Sequence, residues 1–235
     1  KGVYVIDAGE ENSGLLDYLL YRGVSTVQGL FLSHPHRDHV GGLADLLEEG
    51  IRIQRIYLPA GEKAKDVDSQ AIALLERAMA EGIAIETLWE GRTLSLSDAI
   101  EAQVLWPPRT FTAREANQGS LVLRIAVGPF SLLCTGDVDA KVEPLHDVQC
   151  DALQVSHHGS ADATGAAFMR EARPRVAMIS VGGYNRYGHP GAEVIDRLAQ
   201  AGAAIYRTDQ NGAVCIRFWN DRMEVRPTIR GEERP

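Results

Sequence analysis

No stretch of this chain approaches the roughly 20 consecutive apolar residues needed to cross a bilayer, and no charged-then-apolar leader opens it. Taken alone, the polypeptide is expected to be soluble. It also lacks a basic excess, since 24 Lys and Arg against 32 Asp and Glu give a net charge of −8. That balance argues against a general nucleic-acid-binding surface, which carries surplus positive charge. It leaves room for an encounter at a site where bound divalent cations supply the positive field. Cysteine is scarce and odd in number: Cys134, Cys150 and Cys215 show no CxxC spacing, so no disulfide framework is predicted. Cys134 and Cys215 fall within apolar strand patterns and are expected to pack in the core. There is no internal repeat and no low-complexity tract, and no histidine lies between His39 and Asp137.

What is present is concentrated. Ser33-His34-Pro35-His36-Arg37-Asp38-His39 follows the apolar run Gly29-Leu30-Phe31-Leu32, which reads as the end of a buried strand. Three histidines and a carboxylate in six positions form a metal-ligand pattern far denser than a polar turn requires. Pro35 biases His34 toward extended angles. On extended backbone His34, His36 and Asp38 lean to one side and His39 to the other. Two ligand sets result: His34 with His36 for one ion, Asp38 with His39 for a second, an N/O mixture suited to Zn²⁺, Mn²⁺ or Fe.

The remaining chain reads as alternating α/β. Val3–Ile6 is a strand leading to Asp7 at a turn, and 14–21 is a helix. Val40–Leu47 is expected to be an amphipathic helix with its N-terminal amides toward the metal loop. Ile53–Leu58 is a strand. A cap at Asp68 or Ser69 opens a helix with Ile72, Leu75 and Met79 inward. Ile83–Ile85 and Arg92–Leu96 alternate as strands around Glu90-Gly91. Arg109–Arg114 combines two cations with an aromatic on a loop, either plain surface or a nucleic-acid contact. The hairpin Leu121–Val127 and Phe130–Thr135 delivers Gly136-Asp137, where Asp137 is a ligand or the N-cap of a helix reaching Leu145. Ala152–Val155 ends in His157-His158, whose side chains should point to opposite sides. His157 is read as the ligand and His158 as a phosphate contact or proton donor, with the swap as alternative. A glycine-rich loop, 182–190, carries Arg186 and His189 to the same sheet edge. A single domain over residues 1–227 is predicted, with 228–235 a charged, disordered tail. Because the chain opens inside an apparent strand, an excised domain is expected.

The pattern His34-x-His36-x-Asp38-His39 resembles the signature of the metallo-β-lactamase superfamily, which implies an αββα sandwich and a di-metal hydrolase. On that resemblance Asp7 is a carboxylate that orients a ligand, a plain strand-end turn carboxylate remaining the alternative, and Asp137 bridges two ions. Most superfamily hydrolases carry one more histidine before the Gly-Asp strand, where this chain offers Asn117 and Ser120. Together with Asn117-x-x-Ser120-Leu121-Val122-Leu123-Arg124, Thr135-Gly136-Asp137, Ser156-His157-His158-Gly159-Ser160 and Gly188-His189-Pro190, the motifs look like the soluble domain of the ComEC competence DNA-uptake family. That resemblance implies a metal-dependent nuclease acting on DNA, degrading one strand while the other is transported. It implies a covalently attached membrane channel domain outside this chain, an extracytoplasmic position at the cell membrane, and no small-molecule cofactor. The isolated domain is expected to be monomeric. Two divalent ions held in such a cleft steady both oxygens of an in-line displacement at phosphorus, with His158 or His189 protonating the leaving oxygen. Fewer imidazoles favour Mn²⁺ over Zn²⁺. The rival readings are a metallo-hydrolase of a lactone or thioester and a catalytically weak DNA-binding or gating module.

Overall fold

The computed structural model describes residues 2–61, 64–219 and 221–229. Most of the predicted tail, 230–235, lies outside the described residues. The chain divides into two compact units, 1–92 with 106–121, and 93–105 with 122–235.

The first unit contains β1 (Tyr4–Ile6), α1 (Leu15–Tyr21), β2 (Thr26–Val27), β3 (Gly29–Phe31), α2 (Arg37–Val40), α3 (Leu43–Glu48), β4 (Arg52–Ile53), β5 (Arg55–Pro59), α4 (Ser69–Ala80) and β6 (Ala84–Leu88). Its four-stranded sheet has the order β1-β3-β5-β6, all parallel. Leu30, Phe31 and Leu32 are buried in succession, as a central parallel strand covered on both faces requires. The Phe31 ring stacks on Tyr57 at 4.5 Å. Beneath the sheet, Leu19, Leu43, Leu46, Ala71, Leu75 and Ala78 share one core with Leu30, Leu32 and Ile56. The Asp68 carboxylate caps α4, accepting from the Gln70 and Ala71 amides at 2.7 and 3.3 Å.

The second unit contains β7 (Thr93–Ser97), β8 (Ile100–Trp106), β9 (Val122–Val127), β10 (Phe130–Cys134), β11 (Ala152–Gln154), α5 (Ala166–Ala172), β12 (Val176–Ile179), α6 (Ala192–Gln200), β13 (Ala204–Arg207), α7 (Thr208–Asn211), β14 (Val214–Trp219) and β15 (Arg222–Pro227). Its sheet runs β13-β12-β11-β10-β9-β8-β7. The β9–β10 hairpin is antiparallel, whereas β10, β11, β12 and β13 pair in parallel. Helices α5 and α6 make the crossovers, burying Phe168, Met169 and Ala172, and Val194 and Leu198. The open ends of the parallel strands carry loops, where ligands of such sheets gather.

Several sequence expectations are corrected here. Met79 is 60% exposed, because the inward face of α4 runs through Ala71, Leu75 and Ala78. Cys215 is exposed: β14 alternates, and Cys215 shares its open face with Arg217. The Glu90-Gly91 turn does not join a hairpin, since β6 pairs with β5 and β7 with β8. The helix predicted over Val40–Leu47 is two short pieces, α2 and α3, parted at Gly41-Gly42. No helix follows Asp137 through Leu145, so the N-cap reading of Asp137 falls. The Asp139 carbonyl accepts from the Val142 and Glu143 amides, one turn that Pro144 then stops. Among the described residues no helix is long and apolar enough to cross a membrane.

Candidate metal centre

The first unit builds its cluster around a carboxylate rather than around the histidines themselves. Asp7 sits at the end of β1 with φ +57°. Its carboxylate accepts from the Ser33 amide at 2.7 Å, from the Ser33 hydroxyl at 2.8 Å and from His39 Nδ1 at 2.8 Å. Gly41-Gly42 make this possible. The Asp7–Gly9 loop lies over the His39 turn, with the Ala8 amide on the His39 carbonyl at 2.7 Å and the Gly42 amide on the Gly9 carbonyl at 2.9 Å. A methyl at Gly42 would run into the Ala8 carbonyl.

The hydrogen bonds assign the imidazole tautomers of His39, which faces a carboxylate, and of His36, which faces a carbonyl. With its Nδ1 proton on Asp7, His39 keeps the Nε2 lone pair outward, 3.8 Å from Asp38 Oδ2. His34 Nδ1 lies 3.1 Å from the Ser33 hydroxyl and 3.3 Å from that of Ser120. His36 Nε2 faces the Asp66 carbonyl at 3.2 Å. Each of these rings therefore turns its remaining nitrogen, His34 Nε2 and His36 Nδ1, toward the other at 3.0 Å. His36 Nδ1 thus keeps a lone pair, and His34 Nε2, 3.0 Å away, shares either a proton or a cation with it. Donor atoms around one tetrahedral ion with bonds of about 2.1 Å stand roughly 3.4 Å apart, so the donor set suits a divalent ion.

The parity argument from extended backbone does not reach Asp38 and His39, which lie in α2, where a helical turn sets their direction. His34 and His39 are buried and Asp38 is partly exposed. Ser120 meets the far nitrogen of His34, the place of a residue that orients the ring. Asn117 is half-buried, and its carbonyl accepts from the Ser120 amide at 3.1 Å. Sequence reasoning missed Ser33, which joins Asp7 to two rings, and Asp66, whose carbonyl holds His36 and whose carboxylate accepts from the Ala116 amide at 2.9 Å. Ser33 carried a signal in its position between the strand and the first histidine; Asp66 carried none. An apolar cavity of about 110 Å³ opens beside His34, lined by Pro35, Val40, Leu58, Ile72 and Ala116 among others.

The second unit builds its cluster from three separate loops. Asp137, 2% exposed, follows Gly136 at φ +51°, a left-handed turn that glycine takes without penalty. The His157 amide and the Ser156 hydroxyl hold the Gly136 carbonyl at 3.1 and 3.3 Å. His157 and His158 both adopt left-handed angles, φ +48° and +53°. They do not continue the strand, and their rings do not point to opposite sides. Instead both Nε2 atoms turn toward Asp137 Oδ2, at 3.9 and 3.8 Å. His158 Nδ1 donates to the Ser180 carbonyl at 2.8 Å, so its Nε2 carries the lone pair, the same arrangement as His39. The His189 ring lies 5.7 Å from that of His157. Burial lowers the His189 pKa, and His157 and His158 lower it further against the opposing pull of Asp137. Arg186 is exposed on the same loop. Away from this cluster, burial raises the Glu143 carboxyl to about 7, despite the Gly165 amide bonded to it at 2.9 Å.

A parallel sheet with a His-x-His-x-Asp-His turn at the end of its buried central strand defines a metallo-β-lactamase domain, and the family described as the metallo-beta-lactamase superfamily matches residues 1–102. The fold class carries divalent metal ions. ComE operon protein 3 of Bacillus subtilis is 33% identical over 211 residues, covering 88% of this chain and 26% of that protein. Recombination protein 2 of Haemophilus influenzae is 30% identical over 214 residues, covering 90% and 25%. The solved structure of Zn(2+)-bound PqqB from Methylobacterium extorquens shares the fold, with TM-score 0.51 at 12% identity over 86% of this chain and 80% of that one. The chain belongs to the metallo-β-lactamase superfamily and, within it, to the ComEC family. It spans about a quarter of the length of the curated relatives it matches.

Proposed function

We propose that this domain is a metal-dependent nuclease that hydrolyses DNA phosphodiesters, degrading the strand that is not taken up during natural transformation. The observation that carries the metal reading is the pair His34 Nε2 and His36 Nδ1, turned together at 3.0 Å by partners behind each ring. Two divalent ions are assigned, with His34, His36, Asp38 and His39 as the candidate ligands of the first unit and Asp137 and His158 as those of the second. The hydrogen bond from His158 to Ser180 favours His158 over His157 as the ligand. Divalent ions held by these residues would neutralise the charge that builds on the phosphoryl oxygens and would supply an activated water. Asp7 and Ser33 hold His39 and His34 in register for that task, and Ser120 steadies His34 from behind. Asp38, partly exposed, is placed to receive a proton from water, and His157 or His189 supplies the proton to the leaving oxygen. Mn²⁺ is preferred in this reading because no histidine lies between His39 and Asp137, which leaves the first site poorer in imidazole. In the longer protein the domain is joined to a membrane channel and stands on the extracytoplasmic side; isolated, it is monomeric.

Incubating the purified domain with single- and double-stranded DNA and Mn²⁺, Mg²⁺ or Zn²⁺ tests this directly. Cleavage that needs metal and disappears in His36→Ala and Asp137→Ala is the expected result. Absence of cleavage in the parent, or survival of cleavage in both variants, refutes the reading. A second reading, hydrolysis of a lactone or thioester, has one observation in its favour: the apolar cavity beside His34, suited to an acyl chain. Turnover of such esters without DNA cleavage would establish it.

A further inference from the structure

The loop between β12 and α6 carries two of the most exposed aromatic side chains of the protein. Tyr184 is 103% exposed and Tyr187 83%, with Arg186 exposed between them. Large apolar rings left in water at full exposure forgo burial worth about 25 cal/mol per Å², so their display on one loop asks for an occupant. The loop is also braced. The Asn185 side chain accepts from the His189 amide at 2.8 Å and donates to the His189 and Gly182 carbonyls at 2.9 and 3.1 Å. This bracket closes the loop on itself and sends its flanking side chains outward. Tyr187 already lies parallel to His189, with ring centres 5.8 Å apart and planes 18° from coplanar, which leaves its other face to solvent. Charge points the same way: between Ser180 and Gly191 the loop has no carboxylate side chain and one arginine, Arg186, in a chain of net charge −8.

Resting on the nuclease reading, we propose that this loop is a stacking platform for unpaired bases of single-stranded DNA. Tyr184 and Tyr187 receive successive bases and Arg186 meets the phosphate between them. Aromatic faces accept any base, and a duplex keeps its base faces hidden, so the platform selects strandedness and not sequence. The bracing by Asn185 means that little order has to be gained on binding. His189, under Tyr187 and beside His157, then ties base stacking to the histidine cluster within the same unit.

The test uses the metal-loaded parent and an uncleavable phosphorothioate oligonucleotide, with affinity read by fluorescence anisotropy and stacking by quenching of a 2-aminopurine base. Tyr184→Ala and Tyr187→Ala are each expected to weaken single-strand binding about 10-fold and to reduce the quenching. Duplex binding stays unchanged, and Tyr→Phe at either position restores the parent values. The proposal is overturned if the alanine variants bind the single strand like the parent, or lose equally with an oligonucleotide lacking its bases. It is also overturned if the tyrosines govern binding to anionic phosphatidylglycerol vesicles and leave DNA unaffected. Cleavage by a parent whose tyrosine variants behave normally refutes the platform alone; a parent that neither binds nor cleaves DNA refutes the nuclease reading with it.

Discussion

The two histidine clusters reach similar chemistry by opposite means. In the first unit, four ligand-type residues lie within six positions, and one half-buried carboxylate with two serine hydroxyls fixes the rings of His34 and His39. In the second, Asp137, His157, His158 and His189 come from three loops, and left-handed backbone at residues 136, 157 and 158 aims them. One cluster is set by side-chain hydrogen bonds on a short stretch, the other by main-chain conformation across a parallel sheet. The first is consequently expected to fail when a side-chain partner is removed. The second is expected to respond to backbone substitutions and to its buried charge.

The largest effect separating the two concerns Glu143, in the second unit. Its carboxyl is raised to about 7 in the fold from an ordinary value near 4.3 when unfolded. Below pH 4 both states hold the proton and nothing is lost. As pH climbs to 7 the unfolded chain ionises first, so the fold loses on the order of 3 kcal/mol and stays at that deficit above pH 7. Glu143→Gln is therefore expected to be more stable than the parent by up to that amount at pH 8 and equal to it at pH 4, as read by urea unfolding at the two values. Equal stability at pH 8 would remove this distinction between the units.

Next comes the carboxylate clamp. Asp7→Ala is expected to lower metal affinity about 10- to 100-fold, measured by competition with a chromophoric chelator, while the fold persists. A smaller effect tests the backbone half. In the metal-free protein His157→Gly should gain up to about 1 kcal/mol, since glycine takes the left-handed angle without the steric cost borne by histidine. His34→Gly, which empties a buried position, should lose stability. The smallest expected change is at the surface. Met79→Ser should shift stability by no more than about 0.5 kcal/mol, whereas Leu75→Ala, on the inward face of the same helix, should cost about 2 to 5 kcal/mol.

The same contrast explains how much could be read in advance. The metallo-β-lactamase class, the first cluster and the run of strands were legible because a dense motif behind a buried strand is local in sequence. The strand-period argument fails at Asp38 and His39, where the chain enters α2. Nothing local announced that the double glycine would seat the Asp7 loop on that turn. The expectation that His157 and His158 point apart extends strand alternation to residues three and four beyond the end of β11 at Gln154; positive φ at two consecutive histidines has no sequence signature. Pro144, which halts the helix expected after Asp137, was visible and underweighted. Met79, expected inside from its spacing to Ile72 and Leu75, and Cys215, expected inside from an apolar strand pattern, are both exposed by the phase of α4 and of the two-stranded ribbon.

The central claim is that two ions, not one, are held and are needed for cleavage. Titrating Mn²⁺ into the metal-free domain, with ions per chain counted by mass spectrometry of the metal and cleavage of single-stranded DNA followed in parallel, measures it. The account predicts about two ions per chain, with cleavage rising only as the second is taken up and one ion lost in His36→Ala. Saturation at a single ion with full cleavage, or full loading without cleavage, would contradict it.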